Sequence, residues 1–180
     1  MLNKKLIIAF IGLVLVFLAY KFGSTVAPKS KTEAPVTTTE KVFDIHKYII
    51  EEKGHLTASQ VIALGKLENS VTRGDVKEQM ISANTALANF WKDSAHTPEP
   101  YFYYLSEAAK LDKSEKNLTF AAQLILHNLR SEQDEAKLNW KTAQAIALFE
   151  QAVELYPDND ELKVGLGSCY IFGKGRVGGP

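Results

Sequence analysis

Few residues of this sequence have the types and spacing that chemistry requires. The segment GKGRVG, residues 173–178, satisfies the G-x-G-x-x-G pattern that cradles a dinucleotide phosphate. Such a site needs a strand before the glycines and a helix after them, whereas a predicted helix precedes them here. A glycine-rich loop next to a helix is the better interpretation, and we expect no nucleotide and no other cofactor.

Nucleophiles and metal ligands are also sparse. The single cysteine, Cys169, lies close to Gly167 on a predicted helix, where a small buried apolar residue is expected rather than a nucleophile. None of the four histidines pairs with an acid or a cysteine at ligand spacing. Because no nucleophile–base pair or paired carboxylates can be identified, we assign no catalytic or metal-binding residue and expect a protein that is not an enzyme.

Composition supports an ordinary globular protein. Of the 180 residues, 46% are hydrophobic and 23% are charged, and 21 basic side chains balance 21 acidic ones. Nucleic-acid binding usually requires a basic excess, so no nucleic-acid partner is expected. The charges are unevenly placed, however, and residues 1–41, which surround the most apolar segment, carry a basic excess.

That apolar segment, Leu6–Tyr20, has no charged residue and is flanked by Lys5 and Lys21. It is short for a membrane span, but Phe22 extends it and the flanking lysines can reach the two interfaces. We therefore predict a single-pass anchor over residues 1–22 that contacts the membrane through residues 6–22. A cleaved signal peptide and a buried core helix are the alternatives, and Pro28 is unfavourable after a cleavage site.

Residues 23–42 form the predicted link between this anchor and the rest of the chain. They contain two prolines and many Ser and Thr residues without an apolar period, which is typical of a disordered tether. A very short basic N-terminus usually stays in the cytoplasm. The expected location is therefore a bacterial inner membrane, with the C-terminal domain in the periplasm.

Beyond residue 43 the pattern is entirely helical, and the predicted fold class is all-α, made of antiparallel helical hairpins. Thr57 and Gln60 form a capping-box pattern, and Asp75 is a predicted cap of the following helix. Seven apolar-periodic segments are predicted as helices: DIHKYIIEEK, TASQVIALGKLEN, DVKEQMISANTALANFWKDS, PEPYFYYLSEAAKLDK, SEKNLTFAAQLILHNLRSE, DEAKLNWKTAQAIALFEQAVELYP and NDELKVGLGSCYIFGKG. Four consecutive aromatics, residues 101–104, cannot all face one core, so at least one is expected to be exposed or to line a groove.

The last two helices share a signature with a known repeat. It consists of Ala145, Phe149, Ala152 and Pro157, followed by Leu166, Gly167 and Tyr170. This spacing resembles the tetratricopeptide repeat, in which paired helices stack into an α-solenoid. The resemblance implies that two helices cross closely at Ala145 and Gly167, that Phe149 and Tyr170 fill gaps between hairpins, and that Pro157 ends one helix.

The resemblance to the repeat is weaker in the N-terminal part of the helical region, so we predict two parts beyond the tether. Residues 43–113 form a helical region with a degenerate repeat, and residues 114–180 contain repeat-like helices of which the last repeat is incomplete. An insertion of about 11 residues must lengthen the hairpin near RSEQDEAKLNWK. The apolar face of the last predicted helix has no second helix to cover it, so we expect this end of the chain to fray or to self-associate. We also expect the sequence to be the N-terminal part of a longer repeat protein.

The resemblance implies a scaffold that binds a protein or peptide on a concave face made by the first helices of the repeats. Four residues of the last helix are expected to face that groove: Glu161, Val164, Ser168 and Ile171. An envelope assembly factor or chaperone-like helper is a narrower version of this hypothesis. The alternative is a non-catalytic N-terminal part of an enzyme whose active site lies beyond residue 180.

The anchor gives the first testable prediction. Carbonate extraction of cell membranes should leave the protein in the pellet, because an uncharged helix over Leu6–Tyr20 partitions into lipid. A variant with lysines at Leu13 and Leu15 is the control and should be released. Release of the intact wild-type chain into the soluble fraction would contradict the anchor.

Overall fold

The structure, a computed structural model, describes residues 42–73 and 76–173. The predicted anchor and tether therefore lie outside the described residues, as do the predicted cap at Asp75 and most of GKGRVG. Within the described residues there are seven α-helices and no strand: α1 Ile45–Lys53, α2 Ala58–Arg73, α3 Lys77–Asn89, α4 Pro98–Asp112, α5 Glu115–Leu129, α6 Glu135–Leu155 and α7 Asp160–Phe172. A π-helical turn, Phe90–Ser94, continues α3. The all-α prediction is confirmed, and none of these helices is long and apolar enough to cross a membrane.

Local side-chain caps determine where most helices begin. The predicted capping box is present, because Thr57 N donates to Gln60 Oε1 at 2.9 Å and Gln60 N donates to Thr57 Oγ1 at 3.4 Å. Asp134 accepts from the amide of Lys137 at 2.9 Å, and Asn159 accepts from the amide of Glu161 at the same distance. Each bond satisfies an amide that has no partner within its own helix.

Most helices pack against their neighbours in the chain, and some also pack against the next helix but one. Each helix from α2 to α6 contacts the next one, and α4 also contacts α6 while α5 also contacts α7. Short loops between neighbours produce this arrangement, because a helix that follows a short turn packs back on the one before it. The array is compatible with an α-solenoid.

Two apolar clusters form the interior. The first joins α1 to α4 around Ile49, Leu87 and Trp91, and the second joins α4 to α7 around Ile125 and Phe149. Tyr101 of α4 and Trp140 of α6 pack against both clusters. The two clusters are therefore connected through aromatic rings rather than separated by polar residues.

The aromatic run of α4 serves this packing. Phe102 is buried, and Tyr101, Tyr103 and Tyr104 are half-buried. Burial raises the pKa of all three tyrosines, which reaches about 12 for Tyr104. None of the four residues is exposed, because α4 packs against α1, α3, α5 and α6 and each ring is at least partly covered.

Three residues of the repeat signature in α6, Ala145, Phe149 and Ala152, are fully buried. Helix α6 ends at Leu155, just before Pro157, so the predicted helix end is confirmed. The expected contacts of α7 are different. A Cβ added to Gly167 would meet no described atom within 4 Å, and Tyr170 is 42% exposed.

The close crossing with α6 lies at Gly165 instead. A Cβ at Gly165 would overlap Cε1 of Phe149. The buried side of α7 is therefore the one that carries Leu162 and Cys169, whereas Leu166 is half-buried and Gly167 is exposed. The prediction of a close crossing at Gly167 is wrong for the described helices, because residues two apart point to nearly opposite sides of a helix and the contact is at Gly165.

The two glycines make a matched test. Gly165→Leu should lower the free energy of unfolding by about 1–3 kcal/mol, because the side chain overpacks against the buried Phe149 ring. Gly167→Leu should raise it by roughly 0.8 kcal/mol, because Leu favours a helix more than Gly does and nothing obstructs it. Urea unfolding followed by circular dichroism measures both values. Equal destabilisation by the two substitutions would mean that the contact face of α7 is assigned incorrectly.

Candidate functional site

Helices α5 and α7 lie side by side and run in the same direction. At their N-terminal ends, Asn159 Nδ2 donates to Glu115 Oε1 at 2.6 Å. At their C-terminal ends, the guanidinium carbon of Arg130 lies 4.5 Å from the centroid of the Phe172 ring. Because the N-terminal ends of the two helices are adjacent and their C-terminal ends are adjacent, the helices are parallel. Helix α6 contacts both.

The two helices share part of their buried pattern. Leu118 and Ile125 of α5 are buried at the same spacing as Leu162 and Cys169 of α7, whereas Ala121 and Ala122 are buried and the corresponding Gly165 and Leu166 are half-buried. Parallel helices that share buried positions also have their exposed positions in register. The exposed sides of α5 and α7 therefore form one continuous surface.

We call this surface the α5–α7 face, and it contains large exposed apolar side chains among polar ones. Its residues are Lys116, Phe120, Gln123 and His127 of α5, with Glu161, Val164 and Ile171 of α7. Phe120 is 54% exposed, Val164 is 68% exposed and Ile171 is 66% exposed. Exposed apolar side chains grouped in this way are typical of surfaces that bind another protein.

A shallow groove crosses the start of this face. It is lined by Glu115, Lys116, Thr119, Phe120, Gln123 and Asn159. Thr119 Oγ1 is buried and has no hydrogen-bond partner among the described residues. The groove thus offers amide, hydroxyl and ammonium groups around one aromatic ring, which suits a polypeptide ligand better than a purely apolar one.

The four predicted groove residues all lie on α7. Glu161, Val164 and Ile171 are exposed, whereas Ser168 is half-buried and its hydroxyl donates to the carbonyl oxygen of Val164 at 2.9 Å. The sequence analysis missed the α5 half of the face. Phe120 carried a signal, because it lies outside the apolar stripe of α5 and is followed by the polar Gln123 one turn later.

The strongest electrostatic feature lies elsewhere, around Lys141 of α6. This side chain is 2% exposed, and its Nζ lies 3.0 Å from Glu99 Oε1, 2.8 Å from Asn128 Oδ1 and 2.5 Å from Glu132 Oε2. Three oxygen atoms thus surround an ammonium group that has three hydrogens to donate. The cation is compensated where it is buried, at the junction of α4, α5 and α6.

The surroundings of Glu132 show the balance of forces at this junction. Burial by itself would raise the pKa of its carboxyl group. The hydrogen bond from Lys141 and those from the amides of Asp134 and Gln133 outweigh burial and lower the pKa below its usual value. The charged form of Glu132 is therefore favoured in the folded protein.

A second lysine extends the ion network to α1. Lys137 Nζ lies 3.5 Å from Glu99 Oε1 and 3.5 Å from the hydroxyl of Tyr48, and it lies over the Tyr48 ring. Burial, followed by the charge of Glu99, raises the pKa of Tyr48. The network thus joins α1, α4, α5 and α6.

Both lysines lie in the N-terminal half of α6. Helix α6 has 21 residues, whereas α4 and α5 have 15 each. The N-terminal turns of α6 lie in the segment where an insertion was predicted, and they supply the cations of the network. Within residues 42–73 and 76–173, no group of three or more His, Cys, Asp and Glu side chains could hold a metal ion.

Comparisons with protein-family models, curated proteins and solved structures give no match to this chain. The fold and the exposed side chains are therefore the basis for assigning a function.

The ion network gives a prediction for stability. Lys141→Met should lower the free energy of unfolding by about 3–5 kcal/mol, because Glu99 and Glu132 would lose a buried counter-charge. Lys137→Met is the control and should cost about 1 kcal/mol or less, since Lys137 is more exposed. Adding Glu99→Gln to Lys141→Met should recover part of the loss in urea unfolding. A loss of about 1 kcal/mol or less in both lysine variants would show that the network contributes little.

Proposed function

We propose that this protein is a membrane-tethered scaffold of tetratricopeptide-like helical repeats that binds a protein partner through the α5–α7 face. The observation that carries the proposal is the exposure of Phe120, Val164 and Ile171 on two adjacent parallel helices. Their exposure leaves apolar area in water that a partner would remove, which favours association.

Repetition of the buried pattern supports the repeat part of the proposal. Asn84, Leu87, Ala88 and Trp91 of α3 and its π-helical continuation are buried at the same spacing as Leu118, Ala121, Ala122 and Ile125 of α5. The spacing between these two sets equals the length of a tetratricopeptide repeat. Leu162 and Cys169 of α7 are buried at the spacing of Leu118 and Ile125 of α5.

The sequence supports the tether part. A short apolar segment with flanking lysines, followed by a Ser/Thr- and Pro-containing stretch, is the arrangement of an anchored domain held away from a bilayer. We infer the periplasmic side of a bacterial inner membrane, from the short basic N-terminus.

Site-specific photo-crosslinking in cells tests the proposal. A photoreactive phenylalanine analogue at Phe120 should give a discrete protein adduct, because that side chain is exposed on the face and lines its groove. The same analogue at Ile62 of α2, which is 62% exposed, is the matched control. The adduct at Phe120 should disappear when Ile171 is also changed to Lys. Adducts of equal yield at both positions, or none at Phe120, would contradict binding through this face.

A further inference from the structure

The charges of the α5–α7 face are divided between its two helices. Lys116 on α5 has no ion pair among the described residues, and Arg130 lies at the other end of the same helix. At the start of α7, Asp160 is paired with Lys163 at 2.8 Å, which leaves Asp158 and Glu161 without an ion pair among the described residues. The acid at the start of α5, Glu115, accepts a hydrogen bond from Asn159. With two basic residues and one acidic residue, the α5 half is basic on balance and carries the aromatic ring, whereas the α7 half is acidic at its start and carries the aliphatic side chains.

We propose that the α5–α7 face binds the same face of a second copy of this chain. The proposal rests on the proposed function, because it names the partner of the same surface. A two-fold axis that runs between α5 and α7, roughly along them, would place α5 of each copy over α7 of the other. In this arrangement α5 of one copy runs parallel to α7 of the other, and their N-terminal ends face each other.

The register of the two helices makes this arrangement complementary. Lys116 of one copy would face Asp158 and Glu161 of the second copy, and Phe120 would face Val164, which occupies the corresponding position of α7. A two-fold axis across the helices would instead place α5 over α5, with Lys116 close to Arg130, which charge repulsion disfavours. Because two short helices form a small interface, we expect a weak, concentration-dependent dimer.

Sedimentation velocity of the full chain in detergent tests the dimer. The wild type should change from monomer to dimer as its concentration rises. Ile171→Lys should raise the dimer dissociation constant about tenfold or more, because it introduces a charge at an apolar contact. Ile62→Lys, at a position of similar exposure on α2, is the control and should leave the constant unchanged. Circular dichroism checks that both variants are folded.

Charge reversal tests the pairing of α5 with α7. Lys116→Glu and Glu161→Lys should each weaken the dimer, because each places like charges opposite one another at both symmetry-related contacts. An equimolar mixture of the two variants should recover dimers, since a mixed pair has one reversed contact and one wild-type contact, both attractive. Lys66→Glu on α2 is the control and should dimerise like the wild type.

Three results would overturn the proposal. A wild type that stays monomeric at every concentration would exclude the second copy, although a crosslink from Phe120 to a different protein would still support the proposed function. A dimer that Ile171→Lys does not weaken would place self-association elsewhere in the chain. If both charge variants weaken the dimer and their mixture does not recover it, the pairing of α5 with α7 is wrong.

Discussion

The described helices depend on one buried cation. The ammonium group of Lys141 is removed from water at the point where α4, α5 and the loop before α6 meet, and carboxylates from two of these segments compensate it. Transfer of such a charge from water costs several kcal/mol, so the arrangement is stable only when both carboxylates are in place. Any packing of these segments that separates Lys141 from Glu99 or Glu132 leaves a buried charge uncompensated. The network thereby selects one arrangement of the hairpins more than it adds to stability.

Much of the helical order follows from the sequence, because it depends on local interactions. The apolar period gives all seven helices, the Thr57–Gln60 pattern gives a cap, and Pro157 gives a helix end. The ion network around Lys141, by contrast, could not be predicted from the sequence. Lys137 and Lys141 lie one turn apart on a helix rich in polar residues, which in sequence resembles a solvated face. Only tertiary packing brings Glu99, distant along the chain, to the same point.

Only the α7 half of the α5–α7 face was predicted from the sequence. The repeat resemblance indicates which α7 residues are exposed, but it does not show which side of α7 packs against α6. Gly165 and Gly167 are both small, and the sequence does not show which one meets Phe149. The Phe149 ring belongs to α6, so the pattern of residues within α7 does not show which glycine it contacts. Phe120 was missed for a different reason: an aromatic residue is assigned to the core unless its position on the helix is compared with the residues that are buried around it.

Tyr101 and Trp140 have a consequence for how the molecule folds. In a stack of repeats whose neighbours touch only through adjacent units, each unit can open in turn, and unfolding is spread over a range of denaturant concentrations. Here two rings belong to both apolar clusters, and neither cluster is complete until the ring from the other half has docked. Local opening of one end therefore removes packing from the other. We therefore expect the described helices to unfold as one cooperative unit rather than as separable modules, because a partly folded form with one ordered half would lose this shared packing.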